Sequence, residues 1–363
     1  MTVVSPPSPG AGKPLDYPSS SDLFIRGRRG KHPISLLELG ARGSGIVIIL
    51  MMTGLVAVLG YAAAPSLHTF GLKFLAQSSW RPNELEQFKR DANGKIVKDE
   101  DGEPIKITIP PAFGALPVIY GTAVSSALAM TLAIPLSFGA ALFLVRIAPR
   151  RLVMPVSFLI EFLAAIPSIA YGLWGLFVLV PFLQRFVEPP LNDFFGRVPG
   201  LGWLHSEATT GRDMFSGGLV LAIMIIPIIT AVSRDVLRAV PRIQIEGTLA
   251  LGATWWQSSW EMLRYSRSGL FGAAILGLAR ASGETMAIAM VIGNINQIRS
   301  SPFAAAQTMS SLLANEFSEA SSDLHRAALL EVALILLVMS LLFNIAARYL
   351  VVGRGGARAA AGH

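Results

Sequence analysis

The sequence predicts an all-α integral membrane protein of about six transmembrane helices. Three observations carry this expectation. Of 363 residues, 52% are hydrophobic and only 15% charged, whereas a soluble domain carries about 25% charged residues. Apolar stretches near 45–64, 116–145, 152–183, 218–232, 269–292 and 328–350 meet the requirement of roughly 20 residues for crossing a hydrocarbon core about 30 Å thick. Arginines gather in alternate inter-span segments, as the positive-inside rule expects.

Taken in order, residues 1–42 are rich in Pro, Ser and Gly and lack the short apolar core of a cleavable signal. They are expected to form a cytoplasmic tail, with a membrane-surface helix near 34–39. Within it, Gly10-Ala11-Gly12-Lys13 imitates the end of a phosphate-binding loop. Pro14 replaces the Ser or Thr that would hold magnesium, Pro7 replaces the first Gly, and no strand precedes the stretch, so nucleotide chemistry is not assigned here. The first span is expected at 43–64, followed by an outer loop, 65–115, with a charged insert at 83–106. Asn93-Gly94 and Asp101-Gly102 are turn signals that suit a small hairpin in that insert. Trp80, Trp174 and Trp203 are expected near the outer headgroups. A second outer segment, 184–216, carries Pro189, Pro190, Gly196, Pro199, Gly200 and Gly202 and reads as loops and short interfacial pieces.

Inside the spans, Pro135, Pro155, Pro167, Pro181 and Pro227 predict kinks, tolerated in lipid where neighbouring helices satisfy the freed carbonyls. Gly121, Ser125, Ala127, Ala129, Gly272, Ala273, Gly277 and Ala281 favour close helix contacts. The remaining core runs through 116–351, with an inter-span loop at 242–268, and residues 352–363 form a short tail.

The net charge of +7 does not point to nucleic acid, because its distribution follows membrane topology. One set of segments holds Arg26, Arg28, Arg29, Lys31 and Arg42, then Arg146, Arg150 and Arg151, then Arg234, Arg238, Arg242, Arg264 and Arg267, and finally Arg348, Arg354 and Arg358. Both termini are therefore expected in the cytoplasm. The absence of cysteine excludes disulfides, thiolate catalysis and thiolate metal sites.

Between the fourth and fifth apolar stretches lies SRDVLRAVPRIQIEGTLALGATWWQSSWEMLRYSRSG, too polar and interrupted to cross a membrane. Glu246, with Gly252 six residues on, resembles the EAA loop of bacterial ABC importer permeases, in which helix, Gly-centred turn and second helix enter a cleft of the ATPase. The residues suit that task. Glu246 is expected to begin a short helix, Gly252 to permit a sharp turn, and Ala250 and Ala253 to allow close backbone approach. Trp255, Trp256 and Trp260 offer rigid aromatic anchors. The alternative is an amphipathic helix lying on the inner leaflet. Gly247 and Thr248 stand where the motif has alanines, and Leu263-Arg264 where it has Leu-Pro.

In the fifth stretch, ARASGETMAIAMVIGN sets Arg280 and Glu284 four residues apart, on one face of a helix if the helix is continuous. Intramembrane charges cost about 2.5 to 3.5 kcal/mol on insertion scales, so they usually face a pore, a partner or a substrate. Arg280 presents a planar fork of donors suited to an oxyanion. Glu284 either holds that fork in place or accepts a proton; a purely structural ion pair is the alternative. Glu161 pairs with Arg280 or lines the path in this reading, with a structural hydrogen bond as the equal alternative, and Glu331 snorkels to the outer interface.

Five segments then carry a family resemblance: FGALPVIYGT, AIPSIAYGLWGLFVLVP, AIMIIPIITAVSRDVLRAVP, ARASGETMAIAMVIGN and LANEFSEA. From about 113 to 351 the chain resembles PstC-type permease subunits of the bacterial high-affinity phosphate importer. The resemblance implies the type I ABC importer permease fold in the bacterial inner membrane, with a cytoplasmic coupling helix. It implies a PstA-type second permease, a PstB-type ATPase dimer carrying ATP and Mg, and a periplasmic PstS-type phosphate-binding protein. No cofactor is expected on this chain, which is a transport subunit and not an enzyme. Arg280 and Glu284 fall on positions implicated in the phosphate path; Ser282, where a Leu is usual, joins them as a candidate hydroxyl donor to that path or simply fills space. The competing expectations are a permease for sulfate, molybdate or phosphonate, and a membrane component of phosphate signalling.

Overall fold

A computed structural model describes residues 36–88, 106–206 and 210–359. The chain divides into two units, Met1–Leu55 and Val56–His363. Helix α1, Leu36–Phe70, is one uninterrupted helix, so the surface piece expected near 34–39 is not a separate element where it is described. Up to Leu55 its described side chains are exposed. The rest of the expected tail, residues 1–35, lies outside the described residues.

After α1 comes the short α2, Lys73–Ala76, then strands β1, Leu85–Phe88, and β2, Lys106–Ile109. These pair antiparallel, with Leu85 opposite Ile109 and Phe88 opposite Lys106. The turn signals at Asn93-Gly94 and Asp101-Gly102 lie outside the described residues. Helix α3, Leu116–Leu142, is prolonged by a wide π turn, Phe143–Ile147. Helix α4 covers Arg150–Ala165. A second long rod, Ser168–Arg197, is assembled from α5 (Ser168–Trp174), α6 (Val180–Phe182) and α7 (Glu188–Arg197), joined by two π turns. Helix α8, Met214–Arg238, precedes α9, Arg242–Ala250, and α10, Trp255–Tyr265. Then follow α11 (Arg267–Gly283), α12 (Met286–Val291), α13 (Met309–Glu316) and α14 (Asp323–Ala359).

Among the described residues five helical runs are long and apolar enough to cross a bilayer: Arg42–Phe70, Leu116–Ile147, Ser168–Arg197, Met214–Arg238 and Asp323–Ile345. Two of the expected six spans are interrupted. The stretch 152–183 is broken before Pro167, whose ring pushes Ile166 out of the helical region to ψ 131. The stretch 269–292 is broken at Glu284, also extended at ψ 131. Conversely, the segment expected to be loops from residue 184 stays helical as far as Arg197.

Helix α8 is the centre of the main core. Its Leu221, Ile225 and Ile229 are fully buried and belong to a cluster with Ala129 and Ala133 of α3, Ala273 and Ala281 of α11, and Ile288 and Val291 of α12. Small residues let these backbones approach, as lipid-embedded helices require. A Cβ on Gly277 would stand 2.5 Å from Ile229 Cδ1, so any side chain there forces Ile229 to move. Gly272 and Ala127, expected to share that role, face open space or solvent. Ser137 Oγ of α3 donates to the Ile226 carbonyl of α8 at 3.2 Å, a cross-helix bond beside Pro227.

A second cluster gathers Phe74, Phe113, Met309, Leu312 and Leu329. Trp80 packs edge-on to Phe113 and donates its indole N–H to Glu316 Oε2 at 2.7 Å. Glu331 is buried, not snorkelling. Asp213 caps α8, its Oδ1 accepting from the Ser216 amide at 2.9 Å. Complete burial pushes the Asp213 carboxyl up to about 6.

Candidate functional site

Two places carry the sequence-predicted residues. The first is the elbow formed by α9 and α10. Gly252 sits between them at φ +83, and a Cβ there would meet nothing within 4 Å, so its glycine answers a backbone need and not a steric one. Thr254 then starts α10 with a reciprocal capping box to Gln257. Thr248 Oγ1 donates to Ser258 Oγ at 3.0 Å and ties one arm to the other. From α3's terminal π turn, Arg146 reaches Ser259 Oγ at 3.3 Å and lies over the Trp255 ring at 5.5 Å. The sequence alone did not single out Arg146 as the residue that fastens the elbow to the bundle.

Glu246 stands in the middle of α9, whose first residue is Arg242, so it does not begin the helix. It is exposed and has no ion pair among the described residues. Ala250 is exposed and Ala253 half-buried, so any close approach they allow is to something outside this chain. Ile243, Leu251, Trp256 and Trp260 are all more than 60% exposed. Such a cluster of uncovered apolar side chains on a rigid helix-turn-helix has the character of a binding surface.

The second place is the break between α11 and α12. Arg280 and Glu284 do not share a helix face, because α11 ends at Gly283. No ion pair joins them among the described residues. Instead Glu284 is buried: its Oε1 accepts from the Ala287 amide at 3.4 Å, covering the start of α12, while its backbone carbonyl accepts from Ser310 Oγ at 2.6 Å. A cleft of about 480 Å³ opens beside the break, lined by Gly283, Thr285 and Ser310 among others. Arg280 is exposed, on the same stripe of α11 as the exposed Leu276 and Gly283, and within electrostatic range of Tyr171 on α5. Ser282 points the other way, buried with its hydroxyl on the Ala279 carbonyl at 3.3 Å.

Glu161 is not a partner of Arg280. Its Oε1 lies 3.0 Å from a guanidinium nitrogen of Arg234, which also meets Asp235 Oδ1 at 3.0 Å. Residues 161 and 234 are far apart in sequence, and only the packing of α4 on α8 reveals the pair. Among the described residues no group of His, Cys, Asp and Glu is arranged to hold a metal ion.

The chain matches the family described as "Binding-protein-dependent transport system inner membrane component" over residues 133–353. It is 38% identical over 333 residues to the phosphate transport system permease protein PstC of Mesorhizobium japonicum, covering 92% of this chain and 93% of that one. To the protein of the same name from Pasteurella multocida it is 40% identical over 315 residues, covering 86% and 90%. A solved structure of the MetNI methionine ABC transporter in an inward-facing conformation aligns with a TM-score of 0.49 and 17% identity, covering 65% of this chain and 94% of that one. With five bilayer-length helical runs among its described residues, the matched family model and the PstC relatives, the chain belongs to the binding-protein-dependent transport inner membrane components, in their PstC group, and is a multi-pass membrane protein.

Proposed function

We propose that this chain is the PstC-type permease subunit of an ATP-driven importer of inorganic phosphate, forming half of the translocation path. One observation carries the reading: an exposed arginine, Arg280, in an apolar helix set among bilayer-spanning neighbours. Facing lipid, that guanidinium would cost about 2.5 kcal/mol or more, so its stripe belongs against a partner subunit or a water-filled path. A guanidinium fork there offers paired donors to phosphate oxygens. Glu284, buried at the break, fixes the start of α12 and so the wall of the adjacent cleft.

The α9–α10 elbow is the surface for a cytoplasmic PstB-type ATPase, which carries ATP and Mg; Glu246, Ala250, Gly252, Ala253, Trp255 and Trp256 form or present that surface. The partner across the Arg280 stripe is a PstA-type permease, and a PstS-type binding protein delivers phosphate from the other side. Both termini lie on the ATPase side. The chain performs no hydrolysis itself.

Reconstituting the complete importer with Arg280→Gln tests this. Uptake of labelled phosphate is expected to fall on the order of tenfold or more with assembly intact, since a charge-assisted pair is worth about 1.5–3 kcal/mol. Undiminished uptake would take Arg280 out of the path. Because the chain has no cysteine, single cysteines placed near either end and probed with an impermeant maleimide report sidedness directly.

A further inference from the structure

The geometry points to a second anion site that goes beyond this reading and does not depend on it: a cleft between α4 and α8 built to hold a phosphate group. The cleft has a volume of about 520 Å³ and is lined by Arg150, Arg234, Arg238, Ser157 and Glu161, with Met154 and Phe158 at its edge. Residues 150, 154, 157 and 161 recur at helical spacing along one face of α4, and 234 and 238 lie one turn apart on α8.

The charges are unevenly satisfied. Arg234 is spent on Glu161 and Asp235, each at 3.0 Å, and its side chain is only 7% exposed. Arg150 and Arg238 are exposed and have no carboxylate partner among the described residues. Three guanidinium groups therefore face two carboxylates, leaving a net positive cleft whose fixed inner wall is an ion triad. Set into the α4 wall, the Ser157 hydroxyl is buried and lacks any hydrogen-bond partner. An orphaned buried hydroxyl is destabilising; an acceptor placed in the cleft removes that penalty. An oxyanion with several acceptor oxygens satisfies both guanidinium forks and the hydroxyl at once.

The flanking surface narrows the class. Met154 is 81% and Phe158 69% exposed, so an apolar face adjoins the charged mouth. A phospholipid headgroup fits with its phosphate on the arginines and its chains along Met154 and Phe158. Free inorganic phosphate supplies the same oxygens without the chains. The shared chemistry is a phosphate group of net negative charge.

The complete importer, stripped of lipid in detergent, would be titrated separately with phosphatidylglycerol, zwitterionic phosphatidylcholine and inorganic phosphate, reading bound lipid by native mass spectrometry and the thermal midpoint. The site predicts binding of phosphatidylglycerol over phosphatidylcholine, or of inorganic phosphate at millimolar concentration, and the arm that responds names the source. Arg150→Gln with Arg238→Gln should weaken the responding arm on the order of tenfold or more. Ser157→Ala should weaken it severalfold while leaving the ligand-free midpoint unchanged or higher, because the orphaned donor is gone. Equal response of wild type and the double arginine variant to every ligand would overturn the assignment. So would a Ser157→Ala protein that loses stability without ligand and binds as before.

Discussion

Replacing Gly252 isolates the backbone requirement of the elbow from everything around it. The residue holds φ +83, and a Cβ built there meets no atom within 4 Å. A side chain therefore brings no clash, and the whole penalty is the left-handed conformation, about 1–2 kcal/mol for an ordinary L-residue. That lowers the ratio of formed to unformed elbow by a factor of about 5–30. Asparagine visits this region far more readily, whereas β-branched valine is worse than alanine. The expected order of function is Gly, then Asn close behind, then Ala, then Val. The assay measures ATP hydrolysis stimulated by loaded binding protein and phosphate uptake in the same proteoliposomes. Val should retain basal hydrolysis and assembly while losing transport per ATP. A Val variant that couples as well as wild type, or an Asn variant as damaged as Val, would refute the backbone argument.

Asp213→Asn should keep the cap on α8, since Asn caps as well as Asp, and flatten the stability profile with pH. The native carboxyl is raised from 3.8 to about 6, so its contribution is full below about pH 4 and is lost as pH rises through about 6. In detergent melts the wild type should lose ground to the Asn variant between pH 4.5 and 7.5; parallel curves would contradict the burial of a protonated carboxyl. Gly277→Val forces a side chain onto Ile229 Cδ1 and should destabilise by about 1–3 kcal/mol, read as a lower melting midpoint, while Gly272→Ala, with open space around it, should be neutral. Thr254→Ala removes the α10 capping box at a cost of about 1 kcal/mol, which amide exchange in the first turn of α10 would register as faster opening.

Much of the architecture was legible because lipid leaves a chain few choices: apolar runs of the right length become helices. Gly252 was equally legible, since a lone glycine between two helical patterns announces a left-handed turn. The break before Pro167 follows from the residue-before-proline rule, yet hydropathy reads straight through it. Glu284 was harder. No proline marks its position, and what holds it extended is a hydroxyl on another helix, Ser310, together with its own carboxylate on the following amide. The partner of Glu161 was out of reach for the same reason: a charge's neighbour in a bundle is set by helix packing. Asp213-Met214-Phe215-Ser216, by contrast, is a readable cap whose burial no local pattern reveals.

The discontinuity at Glu284 divides responsibility for the two charged residues of the proposed path. Arg280 rides on α11, which is separated from α10 of the elbow by Ser266 alone; Glu284 is moored to Ser310 and to the start of α12, which packs against α5. In the proposed cycle a push on the elbow would travel along α11 to the guanidinium, while the carboxylate is held by Ser310 and the start of α12. The distance between them would then register load on the elbow through a joint only two residues long, Glu284 and Thr285.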